Sequence, residues 1–254
     1  MKIFVFDKST VISAFIAFAI VLCIVPLSMA ETKPASGIQG GDLPIYSVDT
    51  EEKKVAVTFN AAWGAEDIDS ILNTLQMYDC KCTFFLVGTW AEKYPEHARK
   101  IKEAGHEIAS HSYDHAHYAA LSEAEMRADM DKCDSILKEI TGADISLFRA
   151  PYGEYTESLV KLCNETGRYS IQWDVDSLDY KGLSVAEMEA RIMPRLQNGS
   201  ILLFHTGTAQ TASALPALLE EIRAEGYAFS TVGDMIYKGK YTVDHTGRQL
   251  PRLE

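Results

Sequence analysis

Basic residues are scarce in this chain. Its 254 residues include 24 Lys and Arg against 36 Asp and Glu, which gives a formal net charge of −12 at pH 7. Binding to nucleic acid depends on clustered Lys and Arg that neutralise phosphates, so the acidic balance argues against a nucleic-acid partner. Because 47% of the residues are hydrophobic, the chain can bury the core of one α/β domain with a short extension.

Cysteine is also sparse, with five residues in total. Cys23 lies in the N-terminal segment, which leaves Cys80, Cys82, Cys133 and Cys163. An even number of cysteines in an exported protein permits disulfides. However, two of the four alternate within an apolar strand pattern, and free cysteine is a common small core residue. The sequence therefore favours buried thiols.

The N-terminus has the features of an export signal. Lys2 and Lys8 precede an apolar run over residues 11–27, and small residues at positions 28 and 30 fit the signal-peptidase pattern. The run is of borderline length, so residues 1–30 are predicted to be a signal peptide or a membrane anchor. Residues 31–53 are predicted to be a linker. We expect the folded part to be extracytoplasmic, either secreted or anchored to the cytoplasmic membrane by an N-terminal helix.

Strand and helix patterns alternate along the rest of the chain. Strands are predicted at 54–59, 82–87, 107–110, 147–149, 169–173, 200–204 and 228–231, and the clearest helices at 67–78, 94–104 and 122–140. Such alternation predicts parallel strands with helices outside them. With about seven units and no dinucleotide-type Gly-rich loop, we predict a distorted (β/α) barrel over residues 54–237. Residues 238–254 are predicted to be a C-terminal surface extension.

Polar side chains follow most of the predicted strands. They are Asn60, His111, Arg149, Asp174, Asp176 and His205. In parallel barrels the carboxyl ends of the strands form the rim where active sites lie. We therefore expect most of these groups to meet at one site, while some of them cap helices or close turns.

The segment from His111 to His115 contains the strongest local motif. Two imidazoles four residues apart can bind one metal ion at about 2.0–2.1 Å. The alternative is a polar loop in a region that is simply rich in histidine, since His97, His106 and His117 lie nearby. A third metal ligand must come from elsewhere in the chain.

The order of motifs resembles that of the polysaccharide deacetylases with a NodB-type homology domain, carbohydrate esterase family four. The resemblance covers residues 54–237 and is carried by five blocks: Thr58-Phe59-Asn60, His111-Ser112-Tyr113-Asp114-His115, Arg149-Ala150-Pro151-Tyr152-Gly153, residues 173–179 (WDVDSLD) and Leu203-Phe204-His205. It implies a distorted, NodB-type (β/α) barrel. It also implies a divalent metal ion that activates water to remove an N-acetyl group from an aminosugar polysaccharide, such as peptidoglycan or a chitin-like polymer of the bacterial envelope.

The resemblance assigns roles to individual positions. His111 and His115 match the metal ligands, with zinc expected and cobalt, nickel or iron equally compatible with such donors. Arg149 matches the arginine that holds the catalytic base. His205 matches the general acid, and Asp176 the carboxylate that orients it. Pro151 and Tyr152 match residues that line the site.

The first block departs from the family pattern. Typical members have two consecutive aspartates there, the general base and a metal ligand, whereas this chain has Asn60 and Ala61. A carboxamide does not take a proton from water at neutral pH, and alanine has no ligand atom. The ordinary mechanism therefore lacks its base and one ligand.

Three interpretations follow from this departure. In the first, the chain is a hydrolase in which another carboxylate replaces the missing ones; the candidates are Glu66, Asp67, Asp114 and Asp174. In the second, it is a glycan-binding pseudoenzyme of the cell wall. Its candidate sugar-stacking residues are Trp63, Tyr152, Trp173 and Tyr180. In the third, it is a metal-dependent O-acyl esterase on the same fold.

Overall fold

The computed structural model describes residues 43–238 and 241–251. The predicted signal peptide or anchor and the first part of the predicted linker lie outside these residues. Within the described part of the chain, no helix is long and apolar enough to cross a bilayer. The strands are β1 (Ser47–Val48), β2 (Lys54–Ala61), β3 (Thr83–Leu86), β4 (Glu107–Ser110), β5 (Leu147–Phe148), β6 (Tyr169–Ser170), β7 (Val175–Asp176), β8 (Ile201–His205), β9 (Ala228–Ser230), β10 (Tyr241–Val243) and β11 (Arg248–Pro251).

Helices connect most of the strands. They are α1 (Ile68–Met77), α2 (Gly88–Lys93), α3 (Pro95–Glu103), α4 (Glu123–Thr141), α5 (Glu157–Glu165), α6 (Val185–Ile192), α7 (Thr211–Ala224) and α8 (Val232–Met235). The predicted start of α4 is confirmed by its capping box. The Ser122 side chain accepts from the backbone N–H of Glu125, whose side chain in turn bonds the Ser122 backbone. Gly142 ends this helix at a φ of 70°, a conformation that glycine adopts without strain.

The main sheet is a curled, parallel half-barrel. Its strands run in the order β6-β5-β4-β3-β2-β8-β7, and β9 pairs with the beginning of β2. The prediction of a distorted (β/α) barrel is therefore confirmed. No pairing joins β6 to β7 among the described residues, so the barrel stays open there.

The alternation of side chains along β2 separates two buried layers. Val55, Val57 and Phe59 pack on the helix side of the sheet, while Ala56 packs in the barrel interior. Successive side chains of a strand point to opposite faces, so Thr58 and Asn60 belong to the interior layer. The interior face of the central strand thus becomes polar towards its carboxyl end.

Residues at both ends of the predicted domain belong to the fold. Strand β1, within the predicted linker, pairs in parallel with β11, and β10 pairs antiparallel with β11. Gln249 is buried, and its side chain exchanges two hydrogen bonds of 2.9 Å with the backbone of Tyr237. The predictions of a linker up to residue 53 and of a surface extension from 238 are therefore wrong for these residues. A three-stranded sheet forms because distant segments pair.

The prediction of buried thiols is confirmed. Cys80, Cys82, Cys133 and Cys163 are all buried and free. Burial raises the pKa of Cys133 and of Cys163 to about 12, so both stay protonated thiols at neutral pH. The four cysteines fill the core as small apolar side chains.

Candidate active site

A cavity of about 360 Å³ opens at the carboxyl ends of the central strands. It is lined by Asn60, Ala62, Trp63, His111, His115, Tyr152, Trp173, Asp176, Tyr180, Leu203 and His205. Asn60 and His205 are direct neighbours in the register of β2 and β8. The parallel register explains why residues far apart in sequence meet here.

The two motif histidines both face the cavity. His111 directly follows β4, and its Nδ1 donates a 2.8 Å hydrogen bond to the Arg149 carbonyl, which leaves Nε2 free. The ring centroids of His111 and His115 are 5.1 Å apart. Burial lowers the pKa of His111 well below its usual value and also lowers that of His115. Both rings are therefore neutral at pH 7, the state in which imidazole binds a metal.

Four non-glycine residues around the cavity have a positive φ: Ser112 at 69°, His115 at 61°, Tyr152 at 60° and Leu178 at 53°. This left-handed conformation is costly for residues with a Cβ, and such strain is concentrated at functional sites. One of these turns is held by a hydrogen bond of 2.9 Å from the His115 N–H to the Ser112 hydroxyl. The strained backbone fixes the direction of side chains that line the cavity.

Arg149 lies beneath the cavity and is fully buried. Its Nη1 donates to the Thr58 hydroxyl and to the Asn60 amide oxygen, both at 2.9 Å, and its Nη2 donates to the Gln172 carbonyl at 3.0 Å. The guanidinium also stacks on the Phe85 ring at 3.8 Å. Burial lowers its pKa well below the usual value, although arginine keeps its proton in proteins. Asn60 thus accepts a hydrogen bond from the Arg149 guanidinium. The resemblance implies that a carboxylate accepts this bond in typical family members.

His205 is paired with Asp179. The His205 Nδ1–H donates to one carboxylate oxygen at 2.8 Å, and its backbone N–H donates to the other at 2.7 Å. The assignment of this role to Asp176 is therefore wrong. Asp176 lines the cavity instead, and one of its oxygens accepts from the backbone N–H of Leu178 at 2.9 Å. Leu178, whose backbone is in the left-handed region, lies between Asp176 and Asp179 along the chain.

We expect Asp179→Asn to lower the free energy of unfolding by about 1–3 kcal/mol, the usual cost of leaving a buried hydrogen-bonding group unsatisfied. The fully buried carboxylate accepts from His205 twice, from Thr211 at 2.6 Å and from the Tyr180 N–H at 3.0 Å. An amide would turn an N–H towards one of these donors. Urea unfolding measures the change. Asp176→Asn is the matched control, and equal losses in the two variants would contradict this account.

The acidic side chains proposed to replace the missing aspartates lie elsewhere. Both oxygens of Asp67 accept from the Gly207 N–H at 2.9 Å. Asp114 interacts with the Asp129 carboxyl group. Asp174 accepts from Ser200 and from the backbone of Ile201. Glu66 does not line the cavity. Asp176 is the single carboxylate among the residues that line it.

The side chains that line the cavity do not complete a catalytic metal centre. Catalytic zinc sites have three protein ligands and an open position. Within residues 43–238 and 241–251, no group of three or more His, Cys, Asp or Glu side chains is placed to hold a metal ion. Ala61, at the position that the resemblance assigns to the third ligand, is buried in the helix-side core. The two histidines fit two ligands of such a site, and the third is missing.

Exposed aromatic side chains surround the cavity. Trp63, Tyr152 and Tyr180 are 54%, 58% and 48% exposed. The Trp63 ring lies 6.0 Å from that of His115 and 5.8 Å from that of His205. Trp173 also lines the cavity, whereas Pro151, which was predicted to line it, is buried and does not.

One rim residue was not predicted as part of the site. His117 stacks on Tyr152 with ring centroids 4.1 Å apart and planes 10° apart. Its Nδ1 also lies 3.1 Å from a carboxylate oxygen of Glu154. The sequence signal for this residue is a histidine two positions after the metal motif.

This geometry places the chain in the class of α/β-barrel proteins that hold their ligand-binding groups at the carboxyl ends of parallel strands. The polysaccharide deacetylase family model matches residues 47–171. The chain is 32% identical over 199 residues to a peptidoglycan-N-acetylglucosamine deacetylase of Bacillus cereus, covering 77% of this chain and 72% of that protein. The chain therefore belongs to the polysaccharide deacetylase family.

Two further relatives are informative about the altered site. The uncharacterized protein YlxY of Bacillus subtilis is 31% identical over 193 residues; the match covers 76% of this chain and 60% of YlxY. The structure of BA3943 from Bacillus anthracis, described as a pseudoenzyme of carbohydrate esterase family four, matches with a TM-score of 0.74 and 30% identity over 77% of this chain and 69% of that one. A mutant of BA3943 is described as having restored enzymatic activity.

Proposed function

We propose that this protein binds N-acetylated aminosugar chains of the bacterial envelope, such as peptidoglycan, in the cavity at the carboxyl ends of β2, β4 and β8. The proposal includes an extracytoplasmic location, which the pattern of residues 1–30 supports. Relatives named as peptidoglycan deacetylases support the polymer class.

One observation carries this proposal. Four large apolar side chains are exposed in the described part of the chain, and three of them, Trp63, Tyr152 and Tyr180, line the same cavity. Exposed aromatic groups gathered in one place mark a binding surface. Aromatic rings offer flat apolar faces on which the C–H groups of a pyranose ring can pack. The fourth, Met77, lies at the end of α1 and outside the cavity.

Trp63→Ala should weaken the binding of tetra-N-acetylchitotetraose roughly tenfold, because packing on an aromatic ring contributes on the order of 1.4 kcal/mol. Isothermal titration calorimetry with metal-free protein measures this change. Met77→Ala is the matched control, since it removes a large exposed side chain outside the cavity, and the affinity of this variant should equal that of the wild type. Equal loss in both variants, or no loss in Trp63→Ala, would contradict the assignment of the binding site.

Metal-dependent hydrolysis of the N-acetyl group is a second candidate function. The retained pair of His205 and Asp179 favours it, because a binding protein has no need of a proton donor held by a buried carboxylate. His111 and His115 would supply two ligands of a metal ion, and the chemistry that such an ion would contribute is that of a Lewis acid. The absence of a base at Asn60 and of a third ligand weighs against rapid turnover. Acetate release with added zinc, compared between the wild type and His111→Ala, tests this second function.

A further inference from the structure

The orientation of the Asn60 carboxamide is fixed by its neighbour. Arginine has only hydrogen-bond donors, so the atom that faces Arg149 Nη1 at 2.9 Å must be the amide oxygen. A flipped amide would turn its NH₂ group towards the positive charge. The guanidinium itself cannot turn away, because Thr58 and Gln172 hold it from two other directions.

The Asn60 Nδ2 group is consequently the free donor of this side chain. Asn60 lines the cavity and is only 5% exposed. None of the described residues accepts a hydrogen bond from Nδ2. A nearly buried donor without a partner is unfavourable unless a ligand or water accepts from it. The floor of the cavity therefore offers a hydrogen-bond donor at the position where the family pattern has an acceptor.

We propose that Asn60 is a specificity residue whose Nδ2 group donates a hydrogen bond to the acetamide carbonyl of an N-acetylated aminosugar. This inference rests on the proposed glycan-binding function and names the ligand group that the cavity selects. An acetamide presents a carbonyl acceptor. The ammonium group of a deacetylated sugar presents only donors and a positive charge. It would meet the Asn60 NH₂ group, with the Arg149 guanidinium directly behind it.

One group in the cavity favours the deacetylated sugar instead. The Asp176 carboxylate lines the same cavity and would attract an ammonium group. One of its oxygens is occupied by the Leu178 N–H, which reduces its capacity to accept from a ligand. Position 60 is therefore tested by the change in preference between variants, and not by the wild-type preference alone.

The test compares two ligands and three proteins. The affinities of tetra-N-acetylchitotetraose and of the glucosamine tetramer are measured by calorimetry for the wild-type full-length chain, Asn60→Asp and Asn60→Ala. EDTA is present throughout, so that metal-dependent hydrolysis does not consume the acetylated ligand. We expect the wild type to prefer the acetylated tetramer at least tenfold. Asn60→Ala should lose most of this preference, and the nearly isosteric Asn60→Asp should reverse it, because a carboxylate accepts from an ammonium group.

The outcomes separate this inference from the function on which it rests. An equal ratio of the two affinities in the wild type and in Asn60→Ala, with binding that still depends on Trp63, would overturn the role of Asn60 and leave glycan binding in place. A wild type that binds neither tetramer would overturn both. Retention of the wild-type preference in folded Asn60→Asp, with folding checked by circular dichroism, would also overturn the inference.

Discussion

Asn60→Asp should raise the rate of acetate release from tetra-N-acetylchitotetraose by about 10²–10⁴-fold in the presence of zinc or cobalt, the contribution typical of a positioned general base. One oxygen of the new carboxylate can keep the hydrogen bond from Arg149 Nη1, since it replaces the amide oxygen that accepts it now. The other oxygen then takes the place of Nδ2 and faces the cavity. There it can accept a proton from water.

The pair to which the proposed hydrolysis assigns proton transfer lies beside position 60. Position 60 and His205 are paired in register on adjacent strands, and Asp179 holds the His205 ring by Nδ1. His111 and His115, which line the same cavity, are the donors for the added metal ion.

Two double variants serve as controls for the gain. Asn60→Asp with His205→Ala should lose it because the leaving amine has no proton donor, and Asn60→Asp with His111→Ala should lose it together with the bound metal. Acetate is measured enzymatically, and bound metal by elemental analysis of the same samples. If Asn60→Asp binds metal but releases no more acetate than the wild type, the missing base is not what limits turnover.

Much of the fold was predictable because its signals are local. The alternation of short apolar strands and helices predicted the parallel barrel, and the Ser122–Glu125 pair marked the start of α4. The sheet at the chain ends had no such signal. Strands β1 and β11 are about 200 residues apart in sequence and form only because they pair with each other.

The site was predictable to the extent that strand ends determine it. Of the six polar residues placed at strand ends, Asn60, His111, Asp176 and His205 line the cavity, and Arg149 lies beneath it. The sixth, Asp174, instead accepts hydrogen bonds from Ser200 and from the Ile201 backbone.

Which of two neighbouring aspartates pairs with His205 depends on the backbone conformation between them. Asp176 ends β7 and Asp179 lies three residues further along the chain, with the positive φ of Leu178 between them. Leucine gives no sequence signal for this conformation, which is uncommon for residues with a side chain. The orientation of the Asn60 amide was equally hidden, since it depends on a contact with Arg149, 89 residues away.

Arg149→Ala should lower the free energy of unfolding by about 3–5 kcal/mol, at the upper end of single-substitution effects. The substitution leaves the Asn60 amide oxygen and the Gln172 carbonyl without their donor and removes one donor from the Thr58 hydroxyl. It also opens a cavity beside Phe85 and Trp173, on which the guanidinium packs. Urea unfolding followed by far-ultraviolet circular dichroism measures the loss. Arg99→Ala, which removes an exposed pair with Glu96, should change stability by less than about 1 kcal/mol.

The same substitution measures how position 60 and Arg149 are coupled. In the Asn60→Asp background, Arg149→Ala would leave a nearly buried carboxylate without its positive partner. The loss should therefore exceed the wild-type loss by about 0.5–3 kcal/mol, the usual range of coupling between residues in contact. A cycle of the four proteins in urea at pH 7 gives this difference.

Because a carboxylate stabilised by Arg149 has a lowered pKa, the coupling should be present above the unfolded-state pKa of aspartate, about 3.9. It should disappear as the pH falls through the folded-state value. Equal losses in both backgrounds at pH 7 would mean that the carboxylate at position 60 turns away from Arg149, and the same geometry would remove the expected gain in acetate release.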